Sequence, residues 1–160
     1  MRICLFASAS RASRRRAIVW LGASMASSVL GSARALHADE LVAFRLIVHP
    51  TNPLRAAERT LIADAFLKKA TRWPAGEMMR PVDLRADSGV RRRFSESVLK
   101  RSVGAVRSYW QQRIFSGRDV PPPELESEDV VVAYVAKYPG AVGYVSGGTK
   151  LVGVRELSLE

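Results

Sequence analysis

Residues 82–94 carry the side chains of this sequence that are best suited to bind an oxyanion. A predicted strand leads into a turn, after which Ser88 and Gly89 open a predicted helix. The first amides of a helix have no intrahelical acceptor, and the helix dipole adds partial positive charge at that end. Ser88 can cap the helix or donate its hydroxyl, and Gly89 leaves the backbone open to close approach. The pattern predicts an anion-binding helix start.

Charged side chains flank this helix start on both sides. Arg85 and Arg91 add cationic donors. Asp87 can order Arg85 or accept a hydrogen bond from a protonated oxyanion such as hydrogen phosphate. The same residues fit a second interpretation, in which the helix is only capped and the basic run 91–93 lies in solvent. The residues alone leave both interpretations open.

The elements that must position this segment are predicted from apolar runs and from proline and glycine breaks. Strands are predicted at 44–48, 80–84, 141–145 and 151–154. Helices are predicted near 55–69, after Ser88, from a cap at Ser102 to Gly117, and over 128–137 after a cap at Ser127. The first helix is expected to be capped by Asn52, with Pro53 at the first helical position. This order predicts an α/β domain with a small central sheet flanked by helices.

Large aromatic side chains are expected in the core or at its edge, because they bury a large apolar area. A stacking site for a ligand is the less favoured alternative. The residues concerned are Trp73, Tyr109, Trp110, Phe115 and Tyr144.

The first 35 residues have the order of charges and apolar residues that is typical of a secretory signal peptide. Six arginines and no acidic residue occur there. The apolar run that follows most of these arginines has about 14 residues, short of the ~20 that span a bilayer. Small residues predict cleavage after Ala35, with Ala38 as the alternative site. We therefore expect a signal peptide at 1–35 and a periplasmic domain at 39–160, exported by the general secretory or the twin-arginine route.

Most of the positive charge of the chain belongs to the predicted signal peptide. The whole chain has 25 Lys and Arg against 15 Asp and Glu, and removal of six arginines leaves 19 against 15, a net charge of +4. This modest charge argues against nucleic acid as a partner. Because Cys4 is the only cysteine and histidines are few, we expect no metal, no cofactor and no enzymatic activity. We also expect no stable membrane insertion after processing.

Four motifs within residues 44–146 resemble the periplasmic phosphate-binding proteins of ABC transporters, in particular their short, single-lobe relatives. In chain order they are Phe66-Leu67-x-Lys69-x-Thr71-x-Trp73-Pro74-x-Gly76, Arg85-x-Asp87-Ser88-Gly89 with Phe94 downstream, Tyr109-Trp110 with Phe115-x-Gly117, and Pro139-Gly140-Ala141-Val142-Gly143-Tyr144-Val145. The order and spacing of the four motifs make the resemblance fairly specific.

The resemblance implies a single periplasmic-binding-protein-like (PBP-like) lobe that binds phosphate or a similar oxyanion. An inner-membrane ABC permease or a sensor would be its partner. By this likeness residues 85–89 hold the anion, and Thr51 and Asn52 face that turn across the sheet edge. Two departures favour the alternative of an accessory or interaction module that has lost ligand binding. Val90 stands where the family has a Thr, and the chain is about half as long as a two-lobed binding protein.

Overall fold

A computed structural model describes residues 43–160, and the predicted signal peptide lies outside this range. The strands are β1 (Phe44–Val48), β2 (Ala56–Ala57), β3 (Arg80–Pro81), β4 (Asp83–Leu84), β5 (Glu124–Leu125), β6 (Ala141–Ser146) and β7 (Arg155–Leu159). The helices are α1 (Arg59–Phe66), α2 (Gly89–Phe94), α3 (Val103–Phe115) and α4 (Glu128–Lys137), and a π-helical turn at Ser95–Leu99 continues α2. The predicted α/β class is confirmed.

Five of these strands form one sheet, in the order β2-β7-β1-β6-β3. Its centre is antiparallel, because β1 pairs with β6 on one side and with β7 on the other. The short edge strands β2 and β3 run parallel to their neighbours. Strands β4 and β5 form a separate parallel pair, and each of them leads into a helix start.

Strand β6 lies at the centre of the core, with every residue from Ala141 to Val145 buried. Helix α4 packs closely on this strand at Gly143, where an added Cβ would lie 2.7 Å from a methyl of Val131. Gly140 leads into the strand with a φ of +75°, and a Cβ there would collide with the backbone oxygen of Met78. Both glycines are therefore required by the fold.

The first helix begins later than predicted, at Arg59 rather than near residue 55. Asn52 does not cap it, since its side-chain oxygen accepts a hydrogen bond from the Leu54 amide at 2.9 Å and closes a local turn. Residues 56 and 57 instead form β2 beside the end of the chain. Long-range strand pairing of residues 56 and 57 thus overrides the helix that local propensity predicts for them.

The predicted strand at 151–154 is wrong, because the final strand runs from Arg155 to Leu159. Gly153 has a φ of +68°, a left-handed conformation that interrupts extended structure. Pairing with β1 places Leu157 opposite Leu46, and both side chains are buried. Burial of Leu157 therefore fixes the register of this strand.

Residues 80–84 form two short strands instead of the single strand predicted. The Val82 amide donates to the Val142 oxygen in the large sheet at 2.9 Å. The Asp83 amide donates instead to the Pro123 oxygen beside β5, also at 2.9 Å. The chain therefore leaves the large sheet after Val82 and continues towards α2.

Three helices begin where the sequence predicts. Ser88, Ser102 and Ser127 each accept a hydrogen bond from the amide three residues further on, which is the geometry of a serine N-cap. Helix α4 spans the predicted residues 128–137. Within 43–160, no helix has the length and apolar character needed to cross a membrane.

The aromatic side chains divide into a buried group and one exposed member. Trp73, Trp110 and Tyr144 are buried and Tyr109 is half-buried, as predicted. The prediction is wrong for Phe115, which is 90% exposed. Phe115 is the last residue of α3, where the helix extends past the packed part of the domain.

Candidate functional site

The start of α2 leaves backbone amides open at the predicted position. Ser88 accepts a hydrogen bond from the Arg91 amide at 3.3 Å. The amides of Gly89 and Val90 come too early in the helix to have an intrahelical acceptor. An added Cβ at Gly89 would have no neighbour within 4 Å. This helix start therefore faces open space.

Ser88 lies in an open depression with a volume of about 910 Å³. Three parts of the chain form its wall: the turn before α2, the start of α4, and the loop between β6 and β7. They contribute Arg85, Asp87 and Ser88, residues 126–129, and residues 148–150, respectively. Two helix starts thus meet at one depression, and both bring partial positive charge to its wall.

Carboxylates outnumber cations in this wall. It contains two cations, Arg85 and Lys150, against four carboxylates, those of Asp87, Glu126, Glu128 and Asp129. Arg85 pairs with Asp87 at 3.3 Å, and both side chains are exposed. An exposed pair of this kind contributes little to stability, so its members can exchange partners with a ligand. Among residues 43–160, no three His, Cys, Asp or Glu side chains are grouped so as to hold a metal ion.

Glu128 joins the start of α4 to the β6–β7 loop. One of its carboxylate oxygens accepts hydrogen bonds from the Ser146 amide at 2.8 Å and from the Thr149 hydroxyl. Partial burial favours the neutral acid, but these hydrogen bonds stabilise the charged form and lower the pKa of Glu128 below its ordinary value. Glu128 therefore holds this part of the wall in place as a carboxylate.

Arg91 lies on the inner side of α2 and is not part of this wall. Its guanidinium pairs with Asp83 at 3.1 Å and with Glu124 at 2.7 Å, and it donates to the carbonyl oxygen of Leu84. The prediction that Arg91 converges on the anion site is therefore corrected. Arg91 shares the buried face of the helix with Phe94, three positions further on, so its side chain enters the domain.

Tyr144 from the middle of β6 completes this buried charge network. Its hydroxyl donates to Asp83, and its ring stacks on Phe94 with centroids 3.9 Å apart. Burial raises the pKa of the Asp83 carboxyl, although the charge of Arg91 opposes the shift. Burial and the nearby Asp83 also raise the pKa of the Tyr144 hydroxyl, which therefore remains a donor. The network attaches α2 to the sheet.

Thr51 and Asn52 do not line the Ser88 depression. Thr51 is exposed, and its hydroxyl lies 2.7 Å from Nδ1 of His49 in a hydrogen bond. Asn52 is buried, and its carbonyl oxygen accepts a hydrogen bond from Arg155. Of the predicted site residues, Arg85, Asp87 and Ser88 line the depression. Gly89 follows Ser88 as the first residue of α2 and is not part of the wall.

Sequence reasoning missed the far side of the depression, which includes Ser127, Thr149 and Lys150. The sequence predicts Ser127 as a helix cap, but nothing in its spacing relates it to Ser88. The parallel pairing of β4 with β5 brings the two helix starts together, because α2 follows β4 and α4 follows β5. A repeated strand–serine–helix pattern is the signal that points to this arrangement.

Comparison with protein-family models and with curated proteins gives no match. Solved structures, in contrast, share the fold. An ABC-type phosphate transport receptor from Vibrio cholerae is 20% identical with a TM-score of 0.57, over 74% of this chain and 48% of that one. A putative phosphate ABC transporter substrate-binding protein with bound phosphate from Clostridium perfringens has the same identity and TM-score, over 74% and 46% of the two chains. PstS from Borrelia burgdorferi is 11% identical with a TM-score of 0.57, over 74% and 47%.

These likenesses establish the fold as that of a PBP-like lobe, as the sequence motifs predict. The chain spans about half the length of each of these solved structures.

Proposed function

We propose that this chain is an exported, single-lobe binding protein that takes phosphate at the Ser88 depression and works with an ABC-type permease. The observation that carries the proposal is the open start of α2 beside Arg85, in a fold shared with phosphate-binding proteins. Function in the periplasm rests on the signal-peptide pattern of residues 1–35.

The depression suits an oxyanion that still carries a proton. Its surplus of carboxylates opposes a fully ionised ligand, but Asp87 can accept a hydrogen bond from a P–OH group. The amides of Gly89 and Val90 and the guanidinium of Arg85 can donate to the remaining oxygens. Phosphate carries such a proton near neutral pH, whereas sulfate does not. We therefore expect phosphate to bind more tightly than sulfate.

The affinity is expected to be modest. The depression is open to water on the side away from the domain, and charge-assisted hydrogen bonds weaken when they are solvated. A dissociation constant of about 10 μM to 1 mM is the range we expect.

A single substitution at the helix start tests the proposal. Ser88→Asp places a fixed negative charge where the anion binds, yet Asp caps a helix as well as Ser does. We expect phosphate binding, measured by titration calorimetry, to disappear while the melting temperature is unchanged or slightly higher. Ser102→Asp is the matched control, because Ser102 caps α3 in the same way and is not part of the depression wall.

Comparison of the wild-type protein with the two variants distinguishes the possible outcomes. Loss of binding in Ser88→Asp but not in Ser102→Asp supports the site. Equal binding in both variants would place the anion elsewhere on the domain, and tighter binding of sulfate than of phosphate would contradict the role of Asp87.

A second function is favoured by the surplus of carboxylates and by the internal use of Arg91. In this alternative, the lobe is an accessory or interaction module that binds no solute. The same calorimetry decides between the two functions, because absence of phosphate binding by the wild-type protein selects the second.

A further inference from the structure

The apolar stripe of α3 continues beyond the core onto an exposed tip. Val106 and Trp110 are buried, but Ile114, four positions further along the same face, is 50% exposed. Phe115 is 90% exposed, and Val120 in the loop that follows the helix is 63% exposed. We call Ile114, Phe115 and Val120 the α3 tip. Three large apolar side chains left exposed within residues 114–120 point to an interaction site.

The chain that follows α3 is folded back against the helix. The Arg118 amide donates to the Arg113 oxygen at 3.0 Å, and the side chain of Arg113 pairs with Asp119 at 2.5 Å. Ile114 and Pro121 line the same cavity of about 430 Å³. Side chains before and after the turn therefore belong to one continuous surface.

The surface around the α3 tip is positively charged. Residues 100–123 contain five Lys and Arg against one acidic residue. Lys100, Arg107 and Arg118 are exposed, and none of them has a carboxylate partner within the described part of the chain. Arg107 lies in the wall of the cavity beside Ile114.

The carboxylates that line this cavity and the one that follows α3 are already paired. Asp119 pairs with Arg113, so neither of these two charges is available to a partner. The remaining basic residue, Arg101, lies over the ring of Tyr109. Asp83 and Glu124, which also line the cavity, both pair with the buried Arg91. The charge left available at the tip is therefore positive.

We infer that the α3 tip docks the protein on an anionic lipid surface. The apolar side chains enter the interfacial region, and Arg107 and Arg118 contact the lipid phosphates. Because Phe115 is so exposed, burying its ring requires a partner into which the ring can insert. An anionic lipid surface allows this insertion and also carries dense negative charge. Three apolar side chains and a few cations give reversible, peripheral attachment. The inference does not depend on phosphate binding at Ser88.

The test needs a readout at the tip itself, because the arginine-rich apolar segment at 1–35 of the full chain can bind lipid independently. Cys4 is the only cysteine, so Cys4→Ser gives a background for labelling. A polarity-sensitive thiol dye is attached at Phe115→Cys, and in a matched control at Val152→Cys. Val152 is 61% exposed and lies in the segment between β6 and β7, far from α3 in sequence. Vesicles of phosphatidylcholine alone are compared with vesicles that also contain phosphatidylglycerol.

We expect the dye at position 115 to shift to shorter wavelength with phosphatidylglycerol vesicles, and the dye at position 152 not to shift. Adding Arg118→Gln should raise the lipid concentration for half-maximal shift about fivefold. The inference is overturned by no shift at 115, by equal shifts at both positions, or by a shift that does not require phosphatidylglycerol. A shift that appears without vesicles as protein concentration rises would instead identify contact between two copies of the chain.

Discussion

Residues 83–91, around the start of α2, contain two Arg–Asp pairs in opposite environments. One pair is buried on the inner side of the helix start, and the other is exposed on its outer side. On the inner side, Arg91 and Asp83 are buried and paired, and Tyr144 donates to the carboxylate. On the outer side, Arg85 and Asp87 form an exposed pair in the wall of the open depression. The first arrangement attaches the helix to the sheet, and the second leaves a donor and an acceptor for a ligand.

The difference in solvent exposure explains why these two Arg–Asp pairs differ in their effect on stability. Water screens the outer pair, so its net contribution to stability is small and its members can exchange partners. Burial of a charge costs several kcal/mol, so the inner charges require partners that stay in place. Substitutions on the inner side should therefore change stability, and substitutions on the outer side should change binding.

The largest effect is expected from Arg91→Met on the inner side. Removing the guanidinium leaves Asp83 buried without its cation, and breaking a buried pair in this way costs about 3–5 kcal/mol. Urea unfolding measures the loss. Arg92→Met is the control, because Arg92 is exposed on the same helix and its loss should change the free energy of unfolding by less than about 0.5 kcal/mol. Similar values for the two variants would remove the distinction between the two sides.

A smaller effect is expected from Tyr144→Phe. The ring and its stacking on Phe94 remain, but Asp83 loses the hydroxyl that donates to it, at a cost of about 1–2 kcal/mol. Tyr138→Phe is the comparison, because Tyr138 lies outside the buried network and is only partly buried. A loss in Tyr144→Phe no greater than that in Tyr138→Phe would show that the hydroxyl does not support the inner pair.

The smallest of these effects concerns Glu128 in the depression wall and depends on pH. Its pKa in the folded state lies below the ordinary 4.5, so its carboxylate contributes stability above pH 4.5. That contribution disappears as the pH falls through the folded-state pKa. The stability difference between wild type and Glu128→Gln should therefore be largest near neutral pH and should close in acid. Thermal melts from neutral to acid pH measure this stability difference, and Glu126→Gln is the exposed control. A difference between wild type and Glu128→Gln that grows in acid would contradict the prediction, because it has the wrong sign for a stabilised carboxylate.

Much of the fold follows from local sequence signals. The serine caps at 88, 102 and 127 and the bounds of α4 are predicted correctly, because each depends on residues within one helical turn. The start of α1 and the position of β7 are not, because both depend on pairing between the two ends of the domain. The same division applies to the depression: local sequence singles out Arg85, Asp87 and Ser88, whereas the wall from α4 and the β6–β7 loop depends on strand pairing.

The sequence by itself therefore determined where α2 starts, which serine caps it, and which charged residues lie near that start. Only the tertiary structure decided that Arg91 enters the core, that a second helix start faces Ser88, and that Phe115 lies outside the core. The physical reason is the range of the interactions. A cap is a hydrogen bond between residues three apart, so its partners are adjacent in the chain. Whether a side chain is buried depends on strands and helices that meet from distant parts of the chain, and no single segment carries that information.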